Sequence, residues 1–485
     1  MRPTSNVKNT PITSVSRRQF LLASAAAAGA GIAQSAGSAE QRSPGRRGGA
    51  VTQADYDVIV VGGGFSGVTA ARDCQKNGLR TLVLEAKSRL GGRTFDTKFR
   101  DHHIELGGTW VHWAQPAVWS EILRYGIPVE ETPGAVPERV VAIVDGRPTS
   151  FETGTKIEEI VQGVESYFAE SSLTWPRPYD SQFAWKEIVA RSAMSTADRL
   201  KAVRLSPLQR DTLVPFLEAM GHCPLDKASY VEMMRWWSLS LDNFGNLMDV
   251  TARYKMPGGT GALARIIAAD GGAELRLNAP VRRIEKRGEV LAVSTQDGKS
   301  LTARAVILAL PPRVLSSIDI VPALSELKLE ASRQGFTPSG MKYYVEVKGH
   351  LGKVQWLAPA KQRAGMLWTY AELPSTTLLV GFAPENAFDP NDEESVQAVL
   401  RQFDPQVEVL ASTSYAWSSD PFARGTYSGF APGGLVRYHA ELSRHEGRLY
   451  MAGGDVGDNS WRGFIDGAIA RGARVAREVS ESLLT

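Results

Sequence analysis

The segment DVIVVGGGFSG, residues 57–67, decides the fold. Its first five residues form an apolar run that predicts a buried strand, and the glycines follow at once in the spacing Gly62-x-Gly64-x-x-Gly67. Residues 68–77 then carry the apolar periodicity of a helix, and residues 79–84 form a second apolar strand that ends before Glu85. This order predicts a strand, helix, strand unit that binds a dinucleotide. The glycine turn would bring backbone N–H groups and a helix N-terminus to the pyrophosphate, and Glu85 would accept hydrogen bonds from the adenosine ribose.

Three further glycine turns indicate which dinucleotide is bound. They are RLGGRT (89–94), ELGGTW (105–110) and LYMAGGD (449–455). Each turn alone is typical of an ordinary structural loop. Together with the first turn they fit an extended FAD better than NAD, with Arg93 available to the pyrophosphate and Asp455 to the hydroxyls of the ribityl chain.

The rest of the chain mixes helical and strand patterns. Residues 138–254 carry helical periodicity with several tryptophans, whereas residues 273–310 are typical of short strands and turns. Strands are predicted again near 342–347 and 377–382, and a closing helix near 466–484. The fold class is therefore α/β (α+β), and the sequence has no internal repeat and no apolar run long enough to span a membrane.

The amino terminus carries an export pattern. Residues 16–21, SRRQFL, form a twin-arginine motif, followed by an uncharged stretch rich in alanine and glycine. This predicts a twin-arginine signal over residues 1–39, a linker over 40–53 and a periplasmic protein. A membrane anchor is the alternative, but the apolar stretch is too short and too rich in small residues to span a bilayer comfortably.

The net charge argues against a nucleic-acid partner. The formal charge is +3, but residues 1–39 contain four Lys and Arg and no acid, which leaves −1 for the rest of the chain. A protein that binds nucleic acid usually concentrates positive charge on its folded part.

Five segments together resemble the flavin monoamine oxidase family over essentially the whole chain after the signal. They are VIVVGGGFSGVTAARD, LEAKSRLGGRT, ELGGTWVHW, ARAVILALPP and YMAGGDVGDNSWRGFIDGAIARGARVAREV. The stretches GTWVHWAQPAVW and EMMRWWSLS are most similar to exported bacterial members of the family that oxidise nicotine-type alkaloids. The resemblance implies a Rossmann-type FAD-binding domain over 54–135, 255–335 and 425–485. A mixed helix and sheet substrate domain over 136–254 and 336–424 would be interleaved with it, as in glutathione-reductase-like FAD folds.

The resemblance also implies the residues that surround the substrate. The run GTYSGFAPGG matches Tyr427, and WRGFIDGA matches Phe464, to the two walls of an aromatic cage around the amine. Phe464 stands where the family most often has tyrosine, which makes this wall more apolar. Lys342, in the run SGMK, matches a lysine that holds a water near flavin N5. From the residues alone, Tyr427 and Phe464 are more typical of a core than of a cage, and the alternation around Lys342 predicts a side chain that faces solvent.

The motifs and the resemblance together assign a set of residues to FAD. They are Gly62, Gly64, Phe65, Ser66, Gly67, Glu85, Ala86, Arg93, Gly108, Thr109, Trp110, Val281, Gly454, Asp455, Trp461 and Ile465. Residues 456–461 contain no cysteine, so we expect the FAD to be non-covalent. Cys74 and Cys223 could pair, but no pattern requires it, and neither the cysteines nor the seven histidines have the spacing of a metal site, so no metal is expected.

These features predict an FAD-dependent amine oxidase. A hydride would pass from the carbon beside the amine nitrogen to flavin N5, and the iminium would be hydrolysed to a carbonyl compound and a smaller amine. The resemblance implies a small secondary N-methylamine with an aromatic end, such as pseudooxynicotine. It leaves open whether oxygen or an extracytoplasmic electron carrier reoxidises the flavin, and whether the protein is a homodimer.

Two alternatives stay open at this point. The first is an exported oxidase of primary amines or amino acids, and in the amino acid case Arg235 or Arg424 would face the substrate carboxylate. The second is a flavoprotein whose FAD is structural and whose surface binds a partner.

Overall fold

The computed structural model describes residues 54–457 and 461–485, so the predicted signal over 1–39 and the whole predicted linker over 40–53 lie outside the described residues. The described chain forms two large β-sheets, two short ribbons and the helices packed around them. The strands β1 to β19 are, in order, Tyr56–Val61, Thr81–Leu84, Asp96–Phe99, His102–Glu105, Glu130–Glu131, Arg139–Val144, Arg147–Glu152, Tyr254–Lys255, Glu274–Arg276, Val281–Arg287, Val290–Thr295, Ser300–Leu308, Asp319–Val321, Met341–Lys348, Val354–Ala358, Gly365–Glu372, Thr376–Ala383, Val409–Ser414 and Leu449–Met451. The α-helices α1 to α14 are, in order, Phe65–Lys76, Pro116–Tyr125, Thr153–Phe168, Ser171–Thr174, Trp185–Arg191, Thr196–Ala202, Pro207–Gly221, Tyr230–Leu239, Phe244–Ala252, Thr260–Gly271, Glu326–Gln334, Glu393–Leu400, Gly434–Ser443 and Ile465–Leu484.

The first sheet contains the predicted dinucleotide-binding unit. Its strand order is β13-β10-β11-β12-β1-β2-β9, and β19 also pairs with β12. The strands β19, β12, β1, β2 and β9 are mutually parallel, with Val61 opposite both Leu84 and Leu308. The carboxyl ends of these strands therefore meet along one edge, which is where ligands bind in open parallel sheets.

Helices α1, α10 and α14 anchor this sheet. Helix α1 packs against both of the others, and Val58 and Val60 of β1 share a buried cluster with Val475 and Val479 of α14. Full burial of one such side chain contributes about 1.5–3 kcal/mol, so the apolar run of β1 and the apolar face of α14 hold the unit together. The predicted strand, helix, strand opening and the closing helix are confirmed.

The second sheet has the order β18-β14-β17-β16-β15-β6-β7, and all its pairs except β15 with β6 are antiparallel. Its β6–β7 hairpin corrects the helical periodicity predicted from residue 138 onward. Residues 140–143 are all buried, so the strand is a continuous apolar run that periodicity cannot distinguish from a helix segment. The Asp145-Gly146 turn has positive φ at both residues (47° and 77°), as two-residue hairpins require.

Strand β14 also differs from its predicted pattern. The alternation over residues 341–348 predicts a half-exposed strand with Lys342 in solvent, and this prediction is wrong, because residues 342–347 are all buried. Tyr343 and Val345 pack in a cluster that includes Val396 of helix α12. Tyr344, on the opposite face, belongs to the main core, so both faces of the strand are covered.

The predicted fold class, a Rossmann-type FAD unit interleaved with a mixed helix and sheet region, is confirmed, whereas the exact domain boundaries stay a prediction. Over residues 54–457 and 461–485 no helix is both long enough and apolar enough to cross a membrane. Within the same ranges no group of three His, Cys, Asp or Glu side chains is arranged to hold a metal ion.

Candidate active site

One cavity of about 660 Å³ runs from the carboxyl edge of the first sheet to the face of the second sheet. It brings together most of the residues predicted for FAD and all three predicted for the substrate. The predicted residues that line it are Gly62, Gly64, Phe65, Ser66, Glu85, Ala86, Arg93, Gly108, Thr109, Trp110, Val281, Lys342, Tyr427, Gly454, Asp455, Phe464 and Ile465. Gly67 and Trp461 do not line it.

The glycine loop is built for close backbone approach. Gly62 has φ +106°, a conformation that side chains disfavour, and its N–H donates to the Leu84 carbonyl at the end of β2. A Cβ on Gly67 would lie 1.9 Å from the Gly62 carbonyl oxygen, so Gly67 serves the packing of loop against helix rather than the cavity wall. The Ser66 hydroxyl donates to the Ala452 carbonyl and ties the start of α1 to the end of β19.

Glu85 holds this loop from the end of the neighbouring strand. Its Oε2 accepts from the Gly63 N–H at 2.6 Å and its Oε1 accepts from the Lys87 N–H at 2.8 Å. Burial raises the pKa of the Glu85 carboxyl, while the two N–H groups favour its charged form. The carboxylate therefore lies in the cavity wall beside the glycine turn, where the adenosine ribose of a dinucleotide is expected.

Asp455 and Arg93 form an ion pair at the opposite wall, with Asp455 Oδ2 accepting from Arg93 Nη2 at 2.5 Å. Asp455 Oδ1 is buried and has no hydrogen-bond partner in the protein. A buried acceptor without a partner is costly, so this oxygen fits a ligand hydroxyl such as those of the FAD ribityl chain. The predicted contact of Arg93 with the pyrophosphate stays a prediction. The tight glycine turn, the Glu85 carboxylate and the unpartnered Asp455 oxygen together fit FAD.

Lys342 lies on β14 with its ammonium group inside the protein. The Nζ donates to the Gly107 carbonyl at 2.8 Å and to the Thr109 hydroxyl, and it lies 4.6 Å from the centroid of the Trp110 ring. Burial lowers the pKa of Lys342, and the nearby Glu105 carboxylate opposes that shift. The lysine is thus fixed against the third glycine turn, at the junction of the two sheets.

Aromatic rings enclose the part of the cavity next to Lys342. Trp236 lies between the two predicted cage residues, with its ring centroid 6.4 Å from that of Tyr427 and 4.7 Å from that of Phe464. Trp110, Trp368 and Phe382 form a second group, in which Trp368 and Phe382 stack at 5.6 Å. We call the region lined by these six rings the amine chamber.

Trp461 packs behind the chamber wall. Its ring meets Phe464 edge-on at 5.1 Å, and its Nε1–H donates to the Ala114 carbonyl at 3.0 Å. It is fully buried, so it supports Phe464, and its predicted contact with the flavin stays a prediction.

Sequence reasoning missed three rings of the chamber and a histidine beside it. Trp236, Trp368 and Phe382 lie in apolar stretches of α8, β16 and β17, where nothing in the sequence separates a cavity wall from a core. His222 also lines the cavity, and its ring stacks on Tyr427 with centroids 4.4 Å apart. No sequence signal identifies this contact, because the two residues are 205 positions apart.

The fold and the site together define a flavin-dependent amine oxidoreductase. The chain belongs to the family of flavin containing amine oxidoreductases, whose sequence pattern matches residues 65–480. FAD is therefore its cofactor and oxidation of amines its class of reaction.

Two similar proteins are named as dehydrogenases of pseudooxynicotine and of nicotine. The chain is 38% identical to pseudooxynicotine dehydrogenase of a Pseudomonas species, over 97% of this chain and 96% of that protein. It is 35% identical to nicotine dehydrogenase of Pseudomonas putida, over 88% of this chain and 89% of that protein.

Solved structures show the same fold at lower identity. Putrescine oxidase bound to putrescine has a TM-score of 0.74 and 23% identity, covering 87% of this chain and 98% of that one. Cyclohexylamine oxidase from Brevibacterium oxydans has a TM-score of 0.74 and 21% identity, covering 89% and 100%.

Proposed function

We propose that this protein oxidises a small secondary N-methylamine with an aromatic end, such as pseudooxynicotine, and that it releases methylamine after hydrolysis of the iminium. The observation that carries the proposal is the amine chamber, six aromatic rings beside a buried lysine at the end of the FAD cavity. The 38% identity to a pseudooxynicotine dehydrogenase over nearly the whole of both chains supports the substrate class.

The chamber would orient the amine and keep it neutral. Bound FAD supplies the hydride acceptor. Tyr427, Phe464 and Trp236 would hold the amine between their faces and exclude water. The burial that lowers the pKa of Lys342 would equally lower that of an amine beside it, which favours the neutral amine with its available lone pair.

No acid or base is required of the chamber walls. Among the described lining residues the carboxylates are Glu85, Asp420 and Asp455. Glu85 binds the glycine loop, Asp420 pairs with Lys87 and Asp455 pairs with Arg93, so all three belong to the FAD part of the cavity. We therefore assign no carboxylate base to the substrate: the amine would give its proton to solvent as it enters the chamber, and desolvation would favour the neutral form.

An amino acid oxidase is less well supported. Arg235 is buried, donates through Nε to the Pro178 carbonyl at 3.0 Å and does not line the cavity. Arg424 lines the cavity three residues before Tyr427, but it is an exposed residue on the segment that also carries Asp420. A binding protein with structural FAD would have no use for an enclosed aromatic chamber.

The deciding experiment is an anaerobic amine panel. Pseudooxynicotine, N-methylbenzylamine, benzylamine, putrescine and an amino acid are mixed with the FAD-loaded protein, and loss of oxidised flavin absorbance is followed. We expect the two methylamines to give the highest reduction rate constants divided by apparent Kd. Faster reduction by primary amines would contradict the substrate, and no reduction by any amine would favour a structural FAD.

The electron acceptor is decided by a second mixing experiment. The two relatives described above are named dehydrogenases, which favours an electron carrier over oxygen. We therefore expect the reduced protein to be reoxidised faster by an artificial one-electron acceptor than by air-saturated buffer. Reoxidation within milliseconds by oxygen alone would make the protein an oxidase.

We further propose export through the twin-arginine route, supported by Arg17-Arg18 ahead of the uncharged stretch. Replacing both arginines with lysine in the full chain should retain the protein in the cytoplasm, as measured by cell fractionation. Periplasmic recovery of the double variant at the original level would contradict this proposal.

A further inference from the structure

His222 connects three segments that meet at the amine chamber. It ends helix α7 in the left-handed conformation (φ +51°), and its N–H donates to the Glu218 carbonyl at 2.7 Å. Its own carbonyl accepts from the N–H groups of Ser339 at 2.8 Å and Gly340 at 2.7 Å. These residues directly precede β14, so His222 fixes the end of α7 to the start of the strand that carries Lys342.

The imidazole of His222 fixes the third segment. It stacks on Tyr427 with an interplanar angle of 24° and centroids 4.4 Å apart. Its Nδ1 lies 2.7 Å from the hydroxyl of Thr426, the residue just before Tyr427, and Phe382 meets the imidazole edge at 5.6 Å. One ring therefore holds both the side chain of Tyr427 and the backbone segment from which that side chain projects.

His222 lines the cavity, but one of its ring nitrogens is enclosed by protein. Its Nε2 is inaccessible to solvent and lies beside Gly340, where an added Cβ would come within 2.9 Å of it. Burial and the charge of Lys342 lower the pKa of His222 to about 4, although a contact with the Met341 backbone opposes the shift. The ring is thus neutral near pH 7 and adds no positive charge to a wall that receives an amine.

We propose that His222 is a positioning residue, whose stacked ring sets the plane of Tyr427 against the amine so that the reacting C–H points at the flavin. The inference rests on the proposed role of Tyr427 as a chamber wall. Without the stacked imidazole, Tyr427 would keep its aromatic character but lose its fixed plane, and an amine beside a mobile ring spends less time in a reactive geometry. Rate should therefore fall more than affinity.

The test compares His222→Asn with the wild-type protein. Asparagine tolerates the left-handed backbone and keeps a polar group for Thr426, so this change removes mainly the ring. We expect at least a fivefold fall in the limiting rate of anaerobic flavin reduction by pseudooxynicotine, less than a twofold change in apparent Kd, and unchanged FAD content. His350→Asn, which changes an exposed histidine outside the cavity, is the matched control and should alter none of these values.

A double-mutant cycle separates positioning from general damage. If His222 acts through Tyr427, then His222→Asn should slow the Tyr427→Ala protein by less than twofold, because the group it orients is already gone. The inference would be overturned if the two substitutions slowed flavin reduction independently, so that their fold-changes multiply in the double variant. It would also be overturned if His222→Asn alone stayed within twofold of the wild-type rate. Failure of the proposed function looks different, because Tyr427→Ala would then leave reduction unchanged.

A ring-retaining variant covers the case in which the asparagine protein does not fold. His222→Phe preserves a stacked ring and loses the contact with Thr426, and because phenylalanine is less suited than histidine to the left-handed backbone, its rate is compared only at full FAD content. We expect its reduction rate within threefold of wild type and above that of His222→Asn. A loss of more than tenfold with full FAD content would show that the stack on Tyr427 is not what His222 supplies.

Discussion

At the scale of single residues, Glu85 links the sequence motif to the cavity. The motif predicts a carboxylate that binds the ribose. In the structure the same carboxylate also holds the glycine turn through the N–H group of Gly63, and its other oxygen accepts from the N–H group of Lys87. Hydrogen bonds to a charged group contribute about 1.5–3 kcal/mol each, so the two roles reinforce one another.

We predict that Glu85→Ala weakens FAD binding by at least tenfold. The change removes the ribose acceptor and frees the loop that faces the pyrophosphate, and tenfold corresponds to about 1.4 kcal/mol. Titration of the apoprotein with FAD, followed by flavin fluorescence, measures the Kd. An unchanged Kd would contradict the assignment of this carboxylate to the cofactor.

Lys342 shows why part of the site lay beyond sequence reasoning. Alternation alone predicts an exposed lysine, and only the resemblance to amine oxidases predicted a buried one. Burial of β14 on both faces decides the matter, and that burial depends on α12 and on the core around Tyr344, which are distant in sequence. The alternation rule assumes that one face of a strand is exposed to solvent, and it fails where a sheet is covered on both faces.

We predict that Lys342→Met slows reoxidation of the reduced flavin by oxygen at least tenfold, but slows anaerobic reduction by the amine less than threefold. The buried ammonium lies at the third glycine turn, where it can hold water or stabilise negative charge on reduced oxygen. Stopped-flow measurement of the two half-reactions separates the effects.

The matched control is Lys255→Met. Lys255 is also a buried lysine over an aromatic ring, 3.6 Å from the Tyr370 centroid, but it does not line the cavity, and its charge lowers the pKa of Lys342. Its removal should leave the contacts of Lys342 with Gly107 and Thr109 in place, so it should not reproduce the selective slowing of reoxidation. Equal slowing of both half-reactions in the Lys342 variant would reduce Lys342 to a structural role.

At the scale of elements, periodicity succeeds for amphipathic helices and fails for buried strands. Helix α14 was predicted within a residue of its observed start, because one face packs on the first sheet and the other meets solvent. Strand β6 was missed because residues 140–143 have no exposed face to break the apolar run. The Asp145-Gly146 pair was the available turn signal, and it describes the hairpin better than the periodicity does.

The packing of the glycine loop on α1 gives a prediction for the element as a whole. A Cβ at Gly67 would approach the Gly62 carbonyl oxygen to 1.9 Å, so Gly67→Ala must push the loop away from the helix start. Such overpacking costs about 1–3 kcal/mol. We expect FAD affinity to fall at least tenfold while the far-ultraviolet circular dichroism stays unchanged.

Gly154→Ala is the control for this change. Gly154 lies in α3, where an added Cβ meets nothing within 4 Å, and alanine is the better helix former. FAD affinity should be unchanged and the Tm equal or slightly higher. If Gly67→Ala behaves in the same way, the loop does not need its close contact with the helix.

At the scale of the whole molecule, FAD would occupy a cavity walled by both sheets, so its binding and the stability of the fold should be coupled. The family resemblance anticipated this interleaving. The detailed walls of the amine chamber were not predictable, because Trp236, Trp368 and Phe382 come from three elements that only the folded chain brings together.

The cysteines give a prediction about how FAD is held. Neither Cys74 nor Cys223 lines the cavity, and the sequence contains no others. We therefore predict that acid precipitation releases all the FAD into the supernatant, as measured by its absorbance. Yellow colour that stays with the washed, unfolded pellet would demonstrate a covalent bond through some other residue.

The same cysteines can report the coupling between FAD and the fold. Both are free and buried, and burial raises the pKa of Cys74 to about 12 and that of Cys223 to about 11. At pH 8 only about one thiol in a thousand would be ionised even at the lower of these values. An aromatic disulfide reagent should therefore modify both thiols rapidly in urea. In the FAD-loaded protein it should modify neither thiol on that time scale.

Slow labelling of the native protein then proceeds through open states that have lost FAD. FAD at 100 times its Kd stabilises the closed protein by about 2.7 kcal/mol, so its removal should accelerate labelling by up to about 100-fold. The variants Cys74→Ala and Cys223→Ala report each site separately, Cys74 in the helix behind the glycine turn and Cys223 beside His222. If the apoprotein and the FAD-loaded protein are labelled at equal rates at both sites, then the cofactor does not hold the two sheets together.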